Sequence, residues 1–395
     1  MSSNKPGGMK WRFDASSASW QTRVRSSPTV LDGTAYVGSN DKQLYAVDTA
    51  TGEKEWSFTT TSSPFSSPTV VDGTVYVGSR RDELYAVDAE TGTKQWGFET
   101  DGQVFSSPTV ADGIVYVGSR DNHLYALDAK TGQQNWAFET EGEVFSSPTI
   151  LDGTVYVGSY DDYLYAMDAE TGQQKWSFKT NGYVRSSPTV VDETVYVGSN
   201  DGHLYAVETE TGRQKWAFET NAGVNSSPTA ADGTIYIGTD ASDFYAVEVK
   251  TGTSKWQLSI GDEGDEVFSS PVVVNGTIYI GSDDGYLYAI NAEGTASSKD
   301  SRVLLGTLNH HDNRLHTDKE RIADRNSADS SEINEIGDTN SGTEVYSQHD
   351  RSTNDFETKV YSSNNESTNF CSHCGEDLRQ RQIDTFCPVC GSKLV

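Results

Sequence analysis

The sequence comes back to itself about every 40 residues, and that period limits the fold more than any other feature. Ser-Ser-Pro recurs at Pro28, Pro68, Pro108, Pro148, Pro188, Pro228 and Pro271. A unit of this length cannot bury its apolar face alone. It must stack on its neighbours, as the blades of a propeller or the turns of a solenoid do.

Each unit reads as four strands. Ser-Ser-Pro-Thr-Val opens the first, where a proline that cannot donate to a ladder is tolerated. Asp-Gly follows at Asp32-Gly33, Asp72-Gly73, Asp112-Gly113, Asp152-Gly153 and Asp232-Gly233. Between β-rich runs that pair is a hairpin signal, because both residues accept positive φ. The fifth unit has Asp192-Glu193 instead, which predicts a less regular turn. The second strand alternates β-branched residues with Tyr36, Tyr76, Tyr116, Tyr156, Tyr196, Tyr236 and Tyr279. Leu-Tyr-Ala-Val-Asp makes the third strand. A Glu-Thr-Gly turn then leads to the fourth, which carries Trp56, Trp96, Trp136, Trp176, Trp216 and Trp256.

Four antiparallel strands per unit make one propeller blade. The chain is therefore predicted to be all-β, a seven-bladed β-propeller of four-stranded antiparallel blades. The seventh unit has no Trp after Asn291, but Trp11-Arg12-Phe13 matches Trp136-Ala137-Phe138. The N-terminal strand is thus expected to complete the last blade and remove the open edges of the array. The predicted organisation is a flexible N-terminus at 1–10, a propeller at 11–296, a polar disordered linker at 297–369 and a zinc ribbon at 370–395.

The recurring Ala46-x-Asp48-x-x-Thr51-Gly52-x-x-x-Trp56 pattern resembles the tryptophan-docking motif of quinoprotein-like (PQQ-like) β-propellers. The resemblance implies that Trp11, Trp56, Trp96, Trp136, Trp176, Trp216 and Trp256 dock on the Thr-Gly peptide of a neighbouring blade. It covers residues 11–294 and is specific for fold, not for chemistry. The same repeat builds quinone-dependent dehydrogenases and also non-catalytic scaffolds of the outer-membrane-assembly type.

The formal net charge is −28, and residues 1–296 alone carry 41 Asp/Glu against 19 Lys/Arg. Such a surface repels phosphate backbones and anionic membranes, so neither nucleic acid nor a membrane is an expected partner. The acid is spread over every unit, which resembles the composition of haloarchaeal cytosolic proteins more than a docking site for a cation. The N-terminal MSSNKPGGMKWRF has no apolar run to serve as a signal peptide. Cytoplasmic localisation and a monomer are expected.

Residues 297–369 contain no Pro, Trp or Cys and few apolar side chains, too little burial to offset chain entropy. Beyond them stand Cys371-Ser-His-Cys374-Gly and Cys387-Pro-Val-Cys390-Gly. Two such knuckles place four thiolates within reach of one tetrahedral ion, and the motif resembles a short zinc ribbon. With Cys371, Cys374, Cys387 and Cys390 as ligands no open position remains, so the Zn²⁺ is expected to be structural.

Candidate binding residues on the propeller are those that the copies do not share. Before Ser-Ser-Pro stand Arg25, Phe65, Phe105, Phe145, Arg185, Asn225 and Phe268. After the second strand stand Arg80, Arg120 and Tyr160 among others. Strand order puts both sets on one face, opposite the monotonous Asp-Gly and Glu-Thr-Gly turns. Phe and Arg around a funnel mouth suit an anionic or aromatic ligand or a peptide; the competing account is packing between blades. His123 and His203 occupy equivalent turns and read as exposed turn residues. No catalytic constellation stands apart from the repeats, and no bound PQQ is expected. The reading is a non-catalytic binding or scaffold protein whose partner is another protein, with the zinc ribbon as a second interaction module. The alternative is a PQQ-dependent quinoprotein-type oxidoreductase or a small-ligand sensor.

Overall fold

The computed structural model describes residues 11–15, 24, 26–261, 266–267, 269–284, 286–292 and 294. Arg25, Phe268, the linker and all four cysteines lie outside the described residues. Among those described there are six four-stranded antiparallel sheets and a seventh of three strands, each in simple sequential order. In the third blade the strands are Thr109–Ala111, Ile114–Gly118, His123–Asp128 and Gln134–Glu139. The register slips by one residue between Ala126 and Leu127 opposite the fourth strand, and the same bulge recurs in the other four-stranded blades.

The hairpin turns are of the mirror-image type that matches strand twist, with Asp112 at φ 50° and Gly113 at φ 73°. The irregular turn expected in the fifth unit does not occur. Asp192 and Glu193 hold φ 45° and 58°, because the flanking ladder Val191↔Thr194 fixes the geometry. Glu193 bears the left-handed strain that glycine avoids elsewhere.

Ser-Ser-Pro-Thr turns out to be a device for joining blades. The Ser106 hydroxyl accepts from Gly118 N within the blade at 3.0 Å. Ser107 N donates to Ser147 Oγ of the next blade at 3.0 Å, and the Thr109 hydroxyl donates to Pro148 O at 2.7 Å. The same two bonds link every successive pair of blades from the first to the seventh. They satisfy, at the inner strands, backbone groups that have no partner within their own sheet.

The outer girdle is built on tryptophan. Trp136 Nε1 donates to Ala169 O of the next blade at 3.0 Å, and Tyr116 OH donates to the same carbonyl at 3.0 Å. The indole lies flat against Gly172, where a Cβ would come within 2.6 Å of the ring. Trp11, Trp56, Trp96, Trp176 and Trp216 dock in the same way, on Thr49, Ala89, Ala129, Thr209 and Val249. Trp256 packs with Tyr236, Phe244 and Ala292 as Trp136 packs with Tyr116 and Ala169.

The join between the last and first blades differs from the rest. Trp11 takes the docking position on the first blade, against Gly52, and Ala15 O accepts from the Ser39 hydroxyl. Residues 11–15 nevertheless carry no strand pairing, and the seventh sheet consists of Val272–Val274, Thr277–Gly281 and Leu287–Asn291. Among the described residues its face is uncovered. Tyr279 is 41% and Leu287 73% exposed, whereas Tyr236 and Leu204 at the equivalent positions are 0% exposed.

Candidate functional site

Two irregular segments meet at one end of each blade: the link that enters the first strand and the turn between the second and third. They are pinned together by the backbone. Arg80 N donates to Ser63 O, Arg120 N to Gln103 O, Tyr160 N to Glu143 O and Asn200 N to Tyr183 O. Side chains that the copies do not share are thereby gathered at the end of the inner strands.

Across blades two to four they form an unbroken arc of rings and guanidinium groups. Phe65 and Phe105 meet edge to face at 4.7 Å, and Phe105 stacks on Phe145 at 5.5 Å with planes 7° apart. Phe145 continues onto Tyr160 at 4.6 Å, and Tyr160 onto Tyr183 at 4.5 Å. Arg80 lies 5.0 Å over Phe65 and 5.7 Å over Phe105. Arg120 lies 5.8 Å over Phe105 and 5.3 Å over Phe145, and Arg185 lies 5.8 Å over Phe145. Each face-on cation gains about 0.5–1 kcal/mol at such exposed sites. The two accounts weighed from sequence are therefore combined, since the phenylalanines pack between blades and hold the arginines.

The arginines are not equivalent. Arg120 donates to Gln103 Oε1 at 2.7 Å and to Glu143 Oε1 at 2.9 Å, so its charge is spent within the arc. Arg80 is exposed and makes no ion pair with any of the described residues.

The arc ends in a polar cluster at blades five and six. Asn225, 7% exposed, donates through Nδ2 to Asp240 Oδ2 at 2.7 Å and to Asn200 Oδ1 at 3.5 Å. Asn225 Oδ1 and Asp240 Oδ1 are buried with no hydrogen-bond partner. Burial first, then the negative charge of Glu266, pushes the Asp240 carboxyl up to about 6; Asn225 and Arg185 oppose the shift. A raised carboxyl binds its proton more tightly in the folded chain. Its favourable contribution is thus complete below the ordinary value of 3.8 and is lost as pH rises through about 6. Solvent around the half-buried group screens the cost to about 1 kcal/mol. Asp240→Asn is expected to remove that loss, which urea denaturation at pH 4.5 and pH 7.5 measures. Equal pH slopes in wild type and variant would contradict the assignment.

Asn200 and Asp240 stand in the varying column after the second strand, with Arg80, Arg120 and Tyr160, whereas Tyr183, Gln103 and Glu143 were missed in reading the sequence. The signal was there for these three, since their column changes from each copy to the next: Ser63, Gln103, Glu143, Tyr183, Gly223, Glu266. His123 and His203 are half-buried, not exposed. Each ring stacks on the tyrosine two residues later, at 5.4 and 5.5 Å, with Nδ1 at the carbonyl of Asp121 or Asp201.

A quinone cofactor does not fit the arc. Phe105 and Phe145 already stack on each other at 5.5 Å, leaving no slot for a flat ring between them, and Arg120 is neutralised by Glu143. Among the described residues no group of three or more His, Cys, Asp or Glu is placed to hold a metal ion.

A family model described as outer membrane protein assembly factor BamB matches residues 2–69, 62–149 and 142–333. No curated protein matches the sequence. Among solved structures, BamB from Moraxella catarrhalis is similar over 73% of this chain and 88% of its own, at 21% identity and a TM-score of 0.64. The computationally designed Ika8 protein is similar over 68% of this chain and 83% of its own, at 17% identity and a TM-score of 0.61. At these identities the likeness is one of fold.

Proposed function

The chain belongs to the PQQ-like β-propeller family described as outer membrane protein assembly factor BamB, and on that premise we propose that it is a non-catalytic binding scaffold whose arginine–aromatic arc receives another protein. The observation that carries the reading is Arg80, an exposed cation held between Phe65 and Phe105 with no carboxylate partner among the described residues. A carboxylate beside an aromatic or aliphatic side chain matches it, and that chemistry belongs to an acidic peptide segment. Exposed arginine and aromatic rings are also the residues that most often dominate binding energy at protein interfaces. A family name that includes assembly supports a protein as the partner.

The test is purification of tagged protein from its own host, followed by mass spectrometry. A defined partner is expected with wild type. Arg80→Glu, which changes no buried contact, is expected to weaken it at least about tenfold. A partner retained unchanged by Arg80→Glu and by Phe105→Ala would refute the arc as its site. Copurification of a quinone chromophore would refute the non-catalytic reading.

The cysteine-rich tail is proposed as a second module, a zinc ribbon closed by Cys371, Cys374, Cys387 and Cys390. One zinc per chain is expected by metal analysis of wild type, and none when Cys387 and Cys390 are both replaced by serine. A tethered second site would raise avidity through effective concentration, without any new contact on the propeller.

A further inference from the structure

On the opposite face, the joint between the first two blades contains a groove of about 620 Å³. Among the described residues it is lined by Asp32, Glu55, Asp72, Asp88 and Glu90, by the rings of Tyr36 and Trp56, and by no lysine or arginine. The corresponding groove at the next joint is about 210 Å³ and has Lys130 in its wall.

A second difference lies in the residue before each girdle tryptophan. That position is Glu55, Gln95 and Asn135 in the first three blades and Lys175, Lys215 and Lys255 in the next three. Where it is lysine, the ammonium folds back onto the sheet. Lys175 Nζ donates to Thr154 Oγ1 at 2.8 Å and Gly153 O at 3.2 Å, and lies 3.5 Å from Asp168. Lys215 donates to Thr194 Oγ1 at 2.7 Å and Glu193 O at 3.3 Å, and Lys255 to Thr234 Oγ1 at 2.7 Å. Three copies of the same architecture thus hold a primary ammonium at this place. In the first blade the equivalent threonine, Thr34, gives its hydroxyl hydrogen to Glu55 instead, at 3.0 Å.

From this internal comparison we propose that the groove of the first joint binds a primary alkylammonium from outside the chain. The ammonium sits between Glu55 and Thr34, at the place of the Lys175–Thr154 contact, with Asp88 across the groove, and its aliphatic stem lies against Trp56 and Tyr36. The stem and head are those of a lysine side chain, which in the later blades the protein supplies itself. The Thr91 hydroxyl and backbone N–H hold Asp88 below the usual carboxylate range. Burial raises Tyr36, opposed by the Thr34 hydrogen bond, and the negative charges of Glu55, Asp32 and Asp88 raise it further. An uncompensated field of one sign in a concave, partly apolar groove concentrates cations.

Two sources carry this chemistry, a free polyamine and a lysine of a partner protein. Calorimetric titration of the full chain at about 50 mM salt, where screening is weak, uses spermidine in one arm and acetyl-Ala-Lys-Ala-amide in the other. Saturable one-to-one binding is expected in at least one. Spermidine alone identifies a polyamine site, and binding of the peptide identifies a lysine site. Glu55→Lys gives the first blade the side chain of blades four to six. It is expected to weaken either ligand at least about tenfold and to leave the fold intact. Glu55→Gln, the residue type at Gln95, provides a second test with a smaller loss expected. Asn135→Lys places the same side chain at another blade, adding one unit of charge where Glu55→Lys adds two, and is expected to change binding little. No saturable binding, unchanged affinity in Glu55→Lys, or an equal loss in Asn135→Lys would overturn the proposal. These outcomes are independent of the arc, because Glu55 and Arg80 lie on opposite faces.

Discussion

Replacing Gly132 by alanine is expected to destabilise the propeller by about 3–4 kcal/mol, a large share of the ~5–15 kcal/mol that holds an ordinary domain together. Two costs add at this position. Gly132 has φ +70°, a conformation that strains any residue with a Cβ. The new Cβ would also come within 2.7 Å of Trp96 Cδ2 and Cε3, so the indole must leave the face on which it docks. Trp96 is 8% exposed, donates to Ala129 O at 2.9 Å and packs on Tyr76, so its displacement disturbs a whole joint. Gly113 is the control. Its φ is +73° but nothing lies within 4 Å of its added Cβ, so Gly113→Ala is expected to cost only the strain, about 1–2 kcal/mol. The gap between the two variants in urea denaturation measures the docking. In the background Trp96→Ala, Gly132→Ala is expected to fall to the Gly113 value, since the clash is gone. Equal losses for Gly132→Ala and Gly113→Ala would show that the girdle contributes nothing.

A comparably large effect is expected for Leu124→Ala, and almost none for the same change at Leu287. Both stand at the same register of a third strand, followed by Tyr-Ala. Leu124 is fully buried in the core between the third and fourth blades, with Tyr116, Trp136 and Val155. Truncating it removes apolar burial and leaves a cavity, at a cost of about 2–5 kcal/mol. Leu287 is 73% exposed, so there is little burial to lose and the change is expected to stay within about 0.5 kcal/mol. Thermal unfolding of the two variants side by side decides the point. A loss at Leu287 as large as at Leu124 would mean that the seventh blade is packed in solution as tightly as the third.

The blades themselves could be read from the sequence almost strand by strand. Alternation of Val and Tyr, an Asp-Gly turn and a Thr-Gly turn are local instructions. Each acts through φ and ψ of a few neighbouring residues, so a copied unit folds into a copied blade. The expectation went wrong at Glu193, where ladder bonds on both sides override the preference of a single residue. The purpose of Ser-Ser-Pro-Thr was not visible either, because its partners are about 40 residues away: Ser107 bonds to Ser147 and Thr109 to Pro148.

The candidate sites were legible only as columns of difference. Sequence singled out Phe105 and Arg120 because the copies vary there, but it could not tell which arginine is spent. The structure shows Arg120 neutralised by Glu143 of the following link and Arg80 exposed between two rings. Glu55 was passed over altogether, since a glutamate on an outer strand looks like any solvated charge. It stands out only beside Lys175, Lys215 and Lys255, whose ammonium groups fold back onto their threonines.

By itself, then, the sequence determined that this chain is β, that its unit is one four-stranded blade, and that each of the first six units carries a Thr-Gly turn followed by a tryptophan. Those properties follow from backbone geometry and side-chain period over a few residues. Only the tertiary structure decided which side chains from different blades share a neighbourhood, which charges are paired, and where a repeated position such as Leu287 loses the burial its copies have. Burial and pairing depend on what comes round the ring from 40 residues away, and no single unit carries that information.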